Sequence, residues 1–250
     1  MTGMKILVCI TKAPDTTTKI AFVDNDTRLN EAGVQWIINP YEEWYALVRA
    51  LELKEAGLAT AVHLVTVGKA DTEPVIRKAL ALGGDEAIRI DADSNDSFYI
   101  ASQIAHFART ENYDLIMTGK ESIDYNNAST GAMIAELLDM PYITHVSKLE
   151  LSGNQVQTNR EIEGGEESNS CQVPLVISCQ KGMAEARIPN MRGIMAARTK
   201  PLKVVTPVEE SELTSTISYE MLPQKAGVKM VAPEQMDELV RLLHEEAKVI

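Results

Sequence analysis

Met4 to Ile10 is an apolar run interrupted only by Lys5, the pattern of a strand covered on both faces, and it ends in the polar stretch Thr11 to Thr18 containing Pro14. A strand followed by a loop is expected. Beyond the turn-rich Asp24-Asn25-Asp26 and the run Trp36-Ile37-Ile38, Asn39-Pro40 precedes a predicted helix from about Tyr41 to Ala56, with Trp44, Leu47, Ala50, Leu51 and Leu53 on its apolar face. Ala59 to Val67 reads as strand two, closed by Gly68, and Asp71 to Leu82 as a helix ended by Gly83-Gly84. Glu86 to Ile90 is the third strand, Asp96 to Thr110 a helix, Asp114 to Thr118 the fourth strand, and Ser129 to Leu138 the next helix. Strands separated by helices of this size imply right-handed crossovers and a parallel sheet. The expected class is α/β, a three-layer parallel sheet with helices on both faces.

The pattern changes after Pro141. Tyr142 to Leu151 and Gln155 to Ile162 look like two extended segments joined by Ser152-Gly153-Asn154, a hairpin by its turn chemistry, with Gly164-Gly165 closing the second. Leu175 to Cys179 is another short buried strand. From Ala184 to Pro207 the chain is basic and irregular, with a helix-like run from Arg192 to Lys203. A long segment with few periodic apolar positions then leads to a final helix, Pro233 to Lys248. Such a tail rarely forms its own core, so it is expected to lie over another subunit or over the sheet.

At 250 residues, 45% of them hydrophobic, the chain can bury a full core without disulfides. Its formal charge of -12 argues against a nucleic-acid surface. Cys9, Cys171 and Cys179 are an odd set without metal-type spacing, and His63, His106, His145 and His244 are scattered, so neither a zinc site nor a disulfide framework is expected. The N-terminal apolar run is too brief for a signal peptide or a membrane span, and a cytoplasmic protein is the default expectation.

In a parallel sheet, ligands sit at the carboxyl ends of the strands, so the loops Cys9 to Pro14, Val67-Gly68 and Gly119 to Gly131 should converge on one crevice. The third loop, GKESIDYNNASTG, is small and polar, with Ser129-Thr130-Gly131 where a helix begins. Free N–H groups and the positive end of the helix dipole attract a phosphate at such a place. Simple helix capping by Asn127 to Ser129 explains the same residues, and the loop is neither a Walker A loop nor a GxGxxG fingerprint. Asn39-Pro40-Tyr41-Glu42 is a second helix start, open to the same two readings. No acid–base pair stands out: Glu161 and Glu163 read as solvated surface, His106 as structural, and Cys9 as a small core residue. Within this acidic chain, Ile188-Pro189 and Met191 form an apolar tip ahead of the basic run. That combination suits a docking surface for an acidic partner, an apolar anchor with electrostatic steering.

Along nearly its whole length the chain resembles electron transfer flavoprotein β subunits. The resemblance is carried by KILVCITKAPDTT, INPYE, VIRKALALGGDEAIRI, TGKESIDYNNASTG, REIEGG and ARIPNMRGIMAARTKP. It implies an adenine-nucleotide α-hydrolase-like sheet and a heterodimer whose larger α subunit holds most of a redox-active FAD, while this chain closes over one side of the flavin and binds AMP. By position, the AMP contacts would come from Cys9, from Asn39, Pro40, Tyr41 and Glu42, from Val67, and from Asp124, Tyr125, Asn126, Asn127, Ala128, Ser129, Thr130, Gly131, Ala132, Met133, Ile134 and Ala135. Docking of dehydrogenases would use Ile188, Pro189, Asn190 and Met191. Residues 1–207 would form the nucleotide-binding domain, with the docking loop and basic helix at 184–203, and 208–250 an arm packing on the α subunit.

The function implied is electron transfer from dehydrogenases, acyl-CoA dehydrogenases among them, to a membrane quinone oxidoreductase, with no catalytic acid, base or nucleophile from this chain. Some relatives carry a second FAD in place of AMP. The opening APDTT resembles theirs, whereas Thr130 before Gly131 favours AMP. The aromatic flavin neighbour of some relatives falls near Thr16 here. Rival readings are a stand-alone ATP-binding stress module and an adenylating enzyme. The unpatterned tail from Val208 to Val231 argues against the first, and Thr11-Lys12-Ala13-Pro14, in place of a pyrophosphate loop, against the second.

Overall fold

The computed structural model describes residues 3–40, 42–223 and 227–250. Strand β1, Met4–Cys9, leads into the short β2, Lys12–Pro14. Next come the ribbon strands β3, Phe22–Val23, and β4, Arg28–Leu29, and then β5, Trp36–Ile38. Helix α1 spans Glu43–Glu55, followed by β6, Ala59–Val67, helix α2, Glu73–Leu82, and β7, Glu86–Ile90. Helix α3, Ser97–Glu111, β8, Leu115–Gly119, and helix α4, Thr130–Leu138, complete the alternating part. Then follow β9, Tyr142–Ser152, β10, Gln155–Ile162, β11, Gly165–Gln172, β12, Leu175–Cys179, the short helix α5, Met191–Ala197, β13, Leu202–Val205, and α6, Met236–Arg241.

Nine strands form one sheet in the order β11-β10-β9-β12-β8-β1-β6-β7-β13, parallel from β9 to β13 and antiparallel across β9, β10 and β11. The apolar run of β1 from Ile6 onward follows from this placement. Ile6, Val8 and Ile10 join the core under α1 and α2, while Leu7 and Cys9 join the core under α3 and α4. Successive side chains point to opposite faces, and both faces are covered. The α/β class with helices on two faces is the architecture observed.

Four expectations need correction. Thr11 to Thr18 is not all loop: Lys12 to Pro14 pairs antiparallel with Trp36 to Ile38, so the segment between them forms a flap tipped by the β3–β4 ribbon. Pro40 precedes the first helical residue, Glu43, rather than sitting inside the first turn. Gly164-Gly165 does not end the hairpin, because β11 adds a third antiparallel strand. Its sequence, GEESNSCQ, is polar because the strand lies at an exposed edge and is held by main-chain bonds. Finally, the basic helix stops at Ala197, and Leu202 to Val205 extends the sheet beside β7.

The tail begins on its own domain. Val208 and the buried Gln103 exchange two hydrogen bonds, N–H to Oε1 at 2.8 Å and Nε2–H to the carbonyl at 3.0 Å. Asp96, which also caps α3 by accepting from Tyr99 N–H, accepts from the N–H and hydroxyl of Thr214. Beyond these ties Ile217, Leu222, Val228 and Met230 are exposed.

Candidate functional site

A crevice of about 1040 Å³ opens at the carboxyl ends of β1, β6 and β8. Its lining comes from Thr11 and Lys12, from Thr66 to Gly68, from Thr118 to Tyr125, from Asn127 to Gly131, from the flap, and from Tyr219. The three predicted loops therefore do converge.

The loop after β8 is held from behind. Asn39 Nδ2 donates to the Glu121 carbonyl at 2.6 Å, the Glu42 carboxylate accepts from Glu121 N–H at 2.9 Å, and Lys120 pairs with Glu42 and Glu121. Asn39 and Glu42 thus shape the crevice without lining it, and Pro40 between them does not line it either. Tyr41 lies outside the described residues. Further along, Asn127 Nδ2 donates to the Ser97 hydroxyl at 2.6 Å, and Asn126 and Ala128 take left-handed backbone conformations that swing the chain into α4.

Helix α4 starts at this loop without a working cap. Ser129 occupies the N-cap position, yet its side chain makes no hydrogen bond to the first turn. The first N–H groups of a helix have no intrahelical acceptor. Here they lie among Ser129, Thr130 and Gly131, which all line the crevice. Gly131 lets the helix start pack against the sheet: a Cβ there would fall 2.8 Å from Thr118 Oγ1 and 3.1 Å from the Tyr142 hydroxyl. Capping was the rival explanation of this stretch, and the hydroxyl geometry does not carry it out. Ser129→Ala is therefore expected to leave the unliganded chain within about 0.5 kcal/mol of wild type in urea unfolding, where losing a working N-cap costs about 1 kcal/mol.

Cations are not the main anion-binding groups. Lys12 is engaged by Asp71 and lies over the Trp36 ring, 4.2 Å from its centroid, and Lys69 is 3.8 Å from Asp91. Lining carboxylates include Asp15, Asp71, Asp93 and Asp124. Recognition of a phosphate would rest on N–H and hydroxyl donors. Glu43 eases the excess negative charge. It is 5% exposed, and it accepts from Thr11 N–H at 2.5 Å and from the Thr11 hydroxyl at 2.6 Å. Burial pushes its pKa up to about 8 against those hydrogen bonds, with Asp124 adding to the rise. At neutral pH the carboxyl facing the crevice is mostly uncharged.

The remaining positions are spread. Val67, Asp124 and Tyr125 line the crevice, while Cys9, Ile134 and Ala135 lie in the core under α3 and α4. Ala132 and Met133 sit on α4 outside the lining. Burial and then Glu43 raise the Cys9 thiol's pKa, which suits a packed thiol rather than a nucleophile. His106, Glu161 and Glu163 are exposed. Of the lining residues that escape sequence reasoning, two bear most on the site. Glu43 is the second glutamate of the NPYEE segment, and Tyr219 comes from the unpatterned tail. Tyr219 stacks on Phe22 of the flap with ring centroids 4.8 Å apart, donates its N–H to the Asp26 carbonyl at 2.7 Å, and brings its hydroxyl to 3.5 Å from that of Tyr125.

Ile188 is 91% and Met191 71% exposed at the other feature of note, with Pro189 and Asn190 between them. Among the described residues, no helix is long and apolar enough to cross a membrane.

Residues 26–210 match the electron transfer flavoprotein domain. The chain is 36% identical to the electron transfer flavoprotein subunit beta of Bacillus subtilis, over 99% of this chain and 100% of that protein. Identity to the human subunit beta is 32%, over 100% of both chains, and to that of Syntrophomonas wolfei 33%, over 91% of this chain and 90% of that one. The matches run through the tail as well as the sheet, which leaves the stand-alone module and the adenylating enzyme without support. The chain belongs to the electron transfer flavoprotein family, as a β subunit.

Proposed function

We propose that this β subunit holds AMP in the crevice and pairs with an α subunit that carries most of an FAD. The heterodimer takes electrons from dehydrogenases, acyl-CoA dehydrogenases among them, and passes them to a quinone-linked membrane oxidoreductase. FAD, when bound, supplies the redox chemistry. This chain shapes the flavin's surroundings, binds the nucleotide as a strut and presents the tip Ile188–Met191 to dehydrogenases.

The observation that carries the nucleotide reading is the uncapped start of α4, open to the crevice beside a glycine that a side chain could not replace without displacing Thr118. Open N–H groups at a helix N-terminus suit a phosphate, and the crevice has room for a nucleoside beyond it. The exposed apolar residues of the tail support its role as an arm, residues 208–250, that packs on the α subunit while residues 1–207 form the nucleotide domain.

Crevice size favours a second reading. A volume of about 1040 Å³ stands at the top of the range usual for small-molecule sites and would admit a second FAD. The heterodimer, co-expressed with its α subunit, purified and denatured, is expected to release AMP and FAD in equal amounts on chromatography. Two equivalents of FAD without AMP would replace the first reading by the second. A complex without visible flavin absorbance would remove both.

A further inference from the structure

We infer that Arg77 and Lys200 are positioning residues for the docking tip: they lock α5 onto the carboxyl end of α2 and so fix where Ile188 and Met191 stand. The inference rests on the docking role proposed above. The tip is exposed, yet the chain is tied down on both sides of it. Upstream, the Arg187 guanidinium forks onto the Glu55 carboxylate at 2.7 and 3.0 Å, and the Trp44 indole N–H donates to the Arg187 carbonyl at 3.1 Å. Downstream, the carboxyl ends of two helices exchange cations. Arg77 on α2 donates to the carbonyls of Ala197 and Lys200 at 2.8 and 2.7 Å, and Lys200 Nζ donates back to those of Leu80 and Gly84 at 2.9 and 2.6 Å.

Carbonyls at helix ends lack intrahelical donors, and the dipole makes these ends attractive to cations. Each charge here answers one carbonyl in the last turn of the facing helix and one just beyond it, and charge-assisted bonds are the stronger kind. Close backbone contact completes the lock, since a Cβ on Gly193 would fall 2.3 Å from the Ala81 carbonyl oxygen. The basic stretch is therefore divided in its duties. Arg187 and Lys200 are turned inward onto the fold, while Arg192, Arg198 and Lys203 are exposed and make no ion pair among the described residues. An apolar anchor held in place loses less freedom when a partner binds, and so binds more tightly.

The test uses the purified heterodimer and a dehydrogenase that reduces it, comparing Lys200→Met, Arg77→Met, Lys200→Arg and Ile188→Ala with wild type. Lys200→Met and Arg77→Met are expected to raise the KM for the heterodimer about tenfold with kcat and flavin content unchanged. Faster amide exchange over residues 188–198 should accompany the rise, and Lys200→Arg should restore much of both. Faster exchange with an unchanged KM would overturn the positioning role, as would unchanged exchange in both methionine variants. An unchanged KM in Ile188→Ala would instead overturn the docking role itself, whatever the exchange shows.

Discussion

Glu43→Gln is expected to free both stability and nucleotide affinity from a pH dependence that the wild-type protein carries. The glutamine keeps the shape and can keep both contacts to Thr11, but it has no proton to lose. In wild type the folded carboxyl titrates at about 8, above its ordinary 4.5. Between those values the folded chain holds a proton that the unfolded chain has released, so stability falls as pH rises, by at most ~1.4 kcal/mol per unit, and levels off above 8. Urea unfolding from pH 5 to 9 should show wild type losing ground to Glu43→Gln by a few kcal/mol in all. The groups around Glu43 set the same sign for binding. Asp124 is a second carboxylate facing it, while Lys120 is already engaged by Glu42 and Glu121. A phosphate arriving at the start of α4 prefers the neutral acid, so wild-type affinity should fall as pH rises through 8 while that of Glu43→Gln stays level. Parallel profiles would mean that Glu43 is already ionised at neutral pH.

Gly131→Ala is expected to cost the site its nucleotide, with affinity falling on the order of tenfold to a hundredfold and stability by only ~1–3 kcal/mol, the usual range for overpacking. The added Cβ meets Thr118, buried on β8, and the Tyr142 hydroxyl on β9. Relief moves the first turn of α4 away from the strand ends, and the N–H groups move with it. Titration of the nucleotide-free heterodimer with AMP measures the loss, and Ser129→Ala is the contrast, because no cap bond is lost there. Affinity within a factor of about two of wild type in Gly131→Ala would place the phosphate elsewhere in the crevice.

Sequence pattern makes the parallel core legible for a physical reason. Strands β1, β6 and β12 are covered on both faces and read as mainly apolar runs, broken only by Lys5, by Thr60, His63 and Thr66, and by Ser178, and their flanking helices carry one apolar face each. Where a strand sits at an edge the signal disappears. β11 is polar, and β13 is four residues inside a basic stretch, so each is specified by main-chain pairing with β10 or β7 that no local pattern records. The crevice divides in the same way. Loop 119–131 is legible because small polar residues and glycines between a strand end and a helix start mark a crevice-lining loop. Glu43 is not, since its neutral state arises from burial among elements distant in sequence. Tyr219 is still less so, as it reaches the rim through a stack with Phe22 that nothing near it in sequence announces.

Strand β1 lies between β6 and β8, and this governs the order in which the chain can mature during synthesis. As it leaves the ribosome, β1 has neither of these neighbours until Ala59 to Val67 has emerged, and its second edge stays open until Leu115 to Gly119 follows. Parallel partners so far apart in sequence pair slowly, because a long loop must close before any contact forms. Through that interval Ile6, Leu7 and Val8 are apolar surface that a chaperone would be expected to cover. The tail, translated after all the strands of the sheet, meets a sheet whose centre is already closed.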